Sequence, residues 1–157
     1  MDDRVKLIFR GIGLIIGLAS TPLLAQTDFV VRTVVLSKEV NKRNPQGIFL
    51  PPAYCEKDKN GQAAMPVVQT SKTSQVIFWT KIEATTTGKI RHSWHHKTDG
   101  TWTKISEVDI AIQPSPGYRM WSMKSLHPDL HTGEWMIVVA PSKEPNRILC
   151  IARFTVK

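Results

Sequence analysis

Five histidines are scattered without a compact ligand spacing, no serine sits in a glycine-flanked elbow, and the acids Glu83, Glu107, Asp109 and Glu134 are spread over three runs. These absences weigh in turn against a zinc centre, an acyl-transfer serine and a paired-carboxylate glycosidase. Beyond residue 25 no convincing amphipathic helix appears, which removes helical bundles and α/β layers. Acidic side chains number only 13 against 21 lysines and arginines, yet the basic residues are dispersed, and their densest group, 38–43, spans an expected turn. A nucleic-acid binder concentrates its charge on one face or motif, so nucleic acid is not an expected partner. The excess reads instead as a well-solvated surface.

What is present begins with an export pattern. Arg4, Lys6 and Arg10 lead into the apolar stretch 11–19, followed by the helix-ending Thr21-Pro22 and the small residue Ala25. A charged start, a short apolar middle and a small-residue exit describe a secretory signal peptide over residues 1–25, cut after Ala25. The apolar middle falls short of the roughly 20 residues of a transmembrane helix, so no span is expected after cleavage. Leu23 is larger than the cleavage pattern prefers and Asp2 and Asp3 weaken the positive start. Retention as an N-terminal anchor is therefore the alternative. Cleavage removes three basic and two acidic side chains, lowering the net charge from +8 to +7. The expected location is the periplasm or the extracellular space.

Export places Cys55 and Cys150 in an oxidising compartment. A disulfide closing so long a loop is worth roughly 4 to 5 kcal/mol by the chain-entropy estimate. The alternative buries Cys150 on one strand face with Ala152, Phe154 and Val156 and leaves Cys55 exposed and unpaired.

Apolar residues recur with a period of two. In 29–37, Val30, Val34 and Leu36 share a face with Arg32, while Phe29, Val31 and Val35 share the other. In 76–84, Phe78, Thr80 and Ile82 alternate with Trp79, Lys81 and Glu83; in 89–95, Ile90, His92 and Trp94 alternate with Lys89, Arg91, Ser93 and His95. Thr87-Gly88 between them supplies a turn, so these two runs are predicted to form an antiparallel hairpin. Thr98-Asp99-Gly100 supplies another, leading into 102–112, because Asp-Gly tolerates positive φ at little cost. Further strands are predicted at 118–125, 134–140 and 147–156. Segment 44–73, rich in proline, reads as a long irregular surface insertion anchored by Cys55 and carrying at most a short strand at Met65–Gln69. The expected architecture for residues 26–157 is all-β: a single antiparallel β-sandwich of immunoglobulin-like type.

Several of these runs carry a resemblance. Val31-Arg32-Thr33-Val34-Val35-Leu36 followed by Val40-Asn41-Lys42-Arg43-Asn44-Pro45 resembles the N-terminal signature of the DUF2914 family. Phe78-Trp79-Thr80-Lys81-Ile82, His92-Ser93-Trp94, Arg119-Met120-Trp121-Ser122-Met123-Lys124, Gly133-Glu134-Trp135 and Phe154-Thr155-Val156 resemble its C-terminal core. The resemblance spans nearly the whole chain beyond residue 25 and implies a small β-rich domain of uncharacterised function, often exported or attached to bacterial envelope proteins. It carries over no catalytic residue, and the stretch around Cys55 has no counterpart in it.

Candidate site residues emerge from chemistry and strand phase. Trp79, Arg119, Ser122 and Lys124 form the expected contact surface, since they place donors beside aromatic area. Arg119 suits two-point pairing with a carboxylate or phosphate, or alternatively ties strands together through Glu134. Trp79, Trp94, Trp121 and Trp135 lie within strands and are expected mostly in the core; Trp102, beside the Asp99-Gly100 turn, is the expected exposed ring. A sugar platform built on exposed tryptophan is one alternative function. Another is a metal-binding protein or hydrolase, in which His92 and His96 converge with His127 or His131, or Lys124 acts as base for Ser122. The leading expectation is a noncatalytic binding or interaction module of the cell envelope, without a cofactor, whose partner is an envelope protein or glycan.

Overall fold

A computed structural model describes residues 28–58 and 64–157; the expected signal peptide lies outside the described residues. Its strands, in chain order, are β1 (Phe29–Asn41), β2 (Asn44–Ile48), β3 (Val67–Val68), β4 (Gln75–Ala84), β5 (Gly88–Thr98), β6 (Thr101–Ile112), β7 (Ser115–Ser125), β8 (Gly133–Pro141) and β9 (Cys150–Val156). A single helical turn, α1 (Pro128–His131), lies between β7 and β8. The strands form two sheets, ordered β2-β1-β4-β7 and β3-β9-β8-β5-β6. This is an all-β sandwich. One pairing departs from the expected antiparallel rule, because β3 joins β9 in parallel, with Val67 opposite Thr155.

Period-two alternation builds the core, since every second side chain of a strand meets the facing sheet. Phe78, Ile82 and Met120 point inward from the smaller sheet; Ile90, Trp94, Ile137 and Phe154 point inward from the larger, and all are buried. Phe78 meets Trp94 edge-on at 6.4 Å between ring centroids, and Trp94 meets Phe154 likewise at 6.3 Å. Such pairs add roughly 0.5–1.5 kcal/mol each beyond the area they bury. The alternation in β9 holds as read, with Cys150, Ala152, Phe154 and Val156 all buried on one face. Its strand begins at Cys150, however, and not at 147.

Three sequence expectations are corrected by the tertiary structure. The hairpin expected between 76–84 and 89–95 does not form: β4 pairs with β1 and β7, whereas β5 pairs with β6 and β8. Phe78 and Thr80 pack across the sandwich from Trp94 and His92, so residues 85–87 carry the chain from one sheet to the other. The face assignment in β1 is also changed. A register shift between Val31 and Thr33 inserts an extra residue, and a bulge of this kind reverses the phase of the rest of the strand. Phe29, Val31, Val34 and Leu36 consequently all face the core, and Arg32 turns out to Glu83, its Nε donating at 2.8 Å.

The third correction concerns the start of segment 44–73, which is a strand and not irregular. Its first residues form β2 and fold back on β1, with Asn41 opposite Asn44. Cys55 bonds to Cys150, with Cα atoms 5.1 Å apart, and this anchors the segment to β9. The short strand expected at Met65–Gln69 forms at Val67–Val68 and pairs with that same strand.

The Asp99-Gly100 turn forms as expected. Both residues have positive φ, 50° and 80°, and close Thr98 onto Thr101.

Candidate functional site

His92, Ser122 and Thr80 meet midway between the sheets, because His92 points inward from β5 while Thr80 and Ser122 point inward from β4 and β7. Their hydrogen bonds form one directed chain. Trp94 Nε1 donates to Ser122 Oγ at 3.1 Å, and Ser122 Oγ lies 2.9 Å from His92 Nδ1. Thr80 donates to the Met120 carbonyl at 3.4 Å, leaving its oxygen to accept from His92 Nε2 at 3.5 Å. The consistent assignment protonates His92 on Nε2 and turns the Ser122 hydroxyl toward Nδ1, so that each donor finds an acceptor. Burial pushes the His92 imidazole down to about 3, keeping it neutral at ordinary pH.

Serine beside histidine is also the arrangement of nucleophile and base. Here both side chains are buried, and the Trp94 indole donates to the serine oxygen that would attack. Lys124, the base considered for Ser122, instead lies near His131 and helps to lower the pKa of that imidazole, after the larger effect of desolvation.

Of the four candidate metal histidines, His92 stands apart, while His96, His127 and His131 are neighbours whose ring nitrogens are engaged by other partners. His92 is enclosed in the core. His96 stacks on Trp135, 4.6 Å between centroids, and its Nε2 donates to the Thr132 carbonyl at 2.9 Å. His131 accepts the His127 backbone N–H on Nδ1 at 2.8 Å, while His127 Nδ1 is 3.9 Å from Asp129. No three histidine, cysteine or acidic side chains among the described residues are grouped to hold a metal ion.

The tryptophans divide by sheet face. Trp94 and Trp135 are core residues, as expected. Trp79 points outward from β4 but is also buried, because the tip of the β1–β2 hairpin folds back over it and the Arg43 carbonyl accepts its indole N–H at 3.0 Å. Trp121, directly opposite Trp79 on β7, is 40 % exposed, the one exception among the four strand tryptophans expected mostly in the core. Trp102, the expected exposed ring, is instead half-buried on the outer face of the larger sheet, because Lys97 at 5.7 Å and Arg153 at 5.3 Å from its centroid cover it. Trp102 and Trp121 therefore lie on opposite outer faces and form no common platform.

Arg119 points outward with Trp121, at the two-residue spacing of a shared strand face. It does not reach Glu134, which belongs to the other sheet and takes Lys97 at 3.0 Å. Its Nη1 donates instead to Asn44 Oδ1 at 3.2 Å, while Arg43 Nη2 donates to the Arg119 carbonyl at 3.2 Å. Arg43 also lies over Tyr118, 5.7 Å from the ring centroid. The Lys81 chain crosses above Gly117, where a Cβ would stand 2.5 Å from its Cε. Three cations thus gather along β7. No ion pair to Arg43, Lys81 or Arg119 forms among the described residues, and Glu83 of the same sheet is taken by Arg32.

Two adjoining hollows, of about 280 and 290 Å³, share Arg43, Tyr118 and Arg119 as lining; one continues to Gly117 and the other to Trp121. Of the expected contact surface, only Arg119 borders them. Trp79 lies beneath the hairpin and Ser122 lies inside the sandwich. Strand phase alone puts Trp121 on the same face as Arg119, so that neighbourhood is legible in the sequence. The approach of Arg43 is not, since it depends on a hairpin folding over a sheet.

A family model described as "Protein of unknown function (DUF2914)" matches residues 87–156, which run from the start of β5 to the end of β9. The quoted runs at 31–45 and 78–82 lie outside that match. No curated protein matches. Among solved structures, the chain is similar to an immunoglobulin-like protein from Pseudomonas aeruginosa, at 13% identity over 85% of this chain and 99% of that one, with a TM-score of 0.46.

Proposed function

The chain belongs, through residues 87–156, to the DUF2914 family, and from that premise we propose that it is an exported, noncatalytic interaction module of the cell envelope. One observation carries the reading. The serine–histidine pair that could support hydrolysis is spent on holding the two sheets together, whereas cationic and aromatic groups without acidic partners collect on the surface along β7. Polar groups consumed internally stabilise a fold; donors left facing solvent beside an aromatic ring suit recognition. The local cluster of Arg43 and Arg119 without an acidic neighbour supports an anionic envelope component as partner. A disulfide between Cys55 and Cys150 agrees with a protein working in an oxidising compartment, as the N-terminal export pattern suggests.

The test is co-sedimentation of purified protein, residues 26–157, with isolated cell-wall and membrane fractions, read together with tryptophan fluorescence. Binding to at least one fraction, with a change in emission that Trp121→Phe removes, is the expected outcome. No retention on any fraction would overturn the interaction reading. Exposed Trp121 also favours a glycan partner over a purely ionic one, because an indole face accepts the C–H face of a sugar ring.

A further inference from the structure

We propose that the groove along β7 binds a carboxylate-bearing sugar unit of an acidic glycan, with the oxyanion held by Arg43 and Arg119 and the sugar ring laid on Trp121; this rests on the interaction-module reading above. Charge supplies the first argument. Arg43, Lys81 and Arg119 gather at the groove, and no acidic side chain lines either hollow. A larger hollow of about 760 Å³ at one end of the sandwich has Lys89 and Lys143 but also Asp28, Asp109 and Glu144, so its charge is mixed and selects no anion. In the groove each guanidinium spends one N–H on a protein acceptor, the Arg119 carbonyl or Asn44, which fixes its position. The remaining donors of a planar guanidinium match the two oxygens of a carboxylate.

The backbone supplies the second argument. Lys42 and Arg43 occupy both central positions of the β1–β2 turn with positive φ, 47° and 67°. Asparagine and glycine adopt that conformation readily, whereas long side chains with a Cβ resist it. Strain of this kind persists where the surroundings over-determine it, and it gathers at ligand-binding positions. Here the turn is held down by the Trp79 indole and the Tyr118 ring, and the consequence is an arginine carried to the side of Trp121. The aromatic ring supplies the third argument, since it is exposed on the same strand face as Arg119 and borders the hollow that both arginines line. A simple ion or a phosphate headgroup makes no use of such a ring, whereas a pyranose does.

The experiment is calorimetric titration of the whole exported chain with oligogalacturonate, a neutral galacto-oligosaccharide of equal length, inorganic phosphate, and phosphatidylglycerol vesicles. Arg43→Asn keeps a residue suited to the turn while removing the charge, and Arg119→Gln keeps a donor toward Asn44. Binding of oligogalacturonate above the neutral sugar is expected, weakened roughly tenfold or more by each arginine variant and by Trp121→Ala, with circular dichroism unchanged. Raising the ionic strength should weaken it further. Equal binding of the neutral sugar, or binding indifferent to both arginine variants, overturns the proposal. So does arginine-dependent binding of phosphate or vesicles without the acidic sugar, an outcome that leaves the broader module reading standing. Failure of all four probes sinks the proposal, and retention on envelope fractions then decides the broader reading separately.

Discussion

Ser122 has two bonds to lose and no solvent to replace them. Substituting it with alanine leaves the Trp94 indole N–H without its acceptor and His92 Nδ1 without its donor, both inside the core. Each orphaned buried group costs about 1–3 kcal/mol, so Ser122→Ala is expected to lower stability by roughly 2–4 kcal/mol in urea denaturation. A loss below about 0.5 kcal/mol would show that the serine is not part of a satisfied network. His92 makes the same network pH-dependent. Its folded pKa, about 3, lies below the value of about 6.5 for an exposed imidazole, so the unfolded chain binds the extra proton between those two values. The stability due to neutral His92 is therefore complete above about pH 6.5 and is lost as pH falls toward 3, at up to about 1.4 kcal/mol per pH unit. His92→Gln should flatten that part of the wild-type stability curve, measured as the denaturation midpoint against pH. An unchanged slope in the variant would assign the acid sensitivity to other groups.

The β1–β2 hairpin is the element that changes the site most. Its two-residue turn places Lys42 and Arg43 in the left-handed region. Lys42 is exposed, and no hydrogen bond or ion pair holds its side chain among the described residues, so Lys42→Asn should relieve strain without removing a contact. A gain of roughly 0.5–1 kcal/mol is expected in thermal unfolding. Loss of stability would mean that the Lys42 side chain contributes to the fold after all. The β5–β6 hairpin shows the contrasting case, in which Asp99-Gly100 adopts the same conformation with residues suited to it. That turn was legible from the sequence down to its residue types; a turn was also expected within 38–43, but its left-handed conformation at Lys42-Arg43 was not, because nothing local favours it and its support comes from Trp79 and Tyr118. The hairpin expected across Thr87-Gly88 failed for a related reason. Alternation marks which side of a strand is apolar, but it does not say whether the next strand lies beside that side or across from it.

At the scale of the molecule, the disulfide joins residues 95 apart and ties the segment after β2 to the last strand. The chain-entropy estimate gives it about 4–5 kcal/mol, and measured removals of native bridges from small secreted domains span about 2–5. A Cys55→Ser, Cys150→Ser double variant should lose stability in that range by chemical denaturation, and reductant should reproduce the loss in the natural chain. If neither treatment shifts the midpoint, the bridge contributes nothing. The same segment also supplies β3, whose two residues pair with β9. Loss of the bridge should therefore increase amide exchange first at Val67 and Val68, the shortest pairing in the larger sheet.

The sequence by itself determined most of the strands, the apolar faces of β4, β5 and β9, the Asp-Gly hairpin and the resemblance to DUF2914 that the family match bears out over 87–156, because these are written in short runs of neighbouring residues. Ser122 and His92 each sit at inward-facing positions of their strands, yet their meeting is a contact between sheets. Only the tertiary structure decided that pairing, the phase reversal in β1, the exposure of Trp121 and the arrival of Arg43 beside Arg119. Each depends on residues dozens of positions apart, and on which of two apolar surfaces a given strand finds. Side-chain period carries the first kind of information in every short run. The second kind exists only once two sheets have packed and a hairpin has folded over one of them.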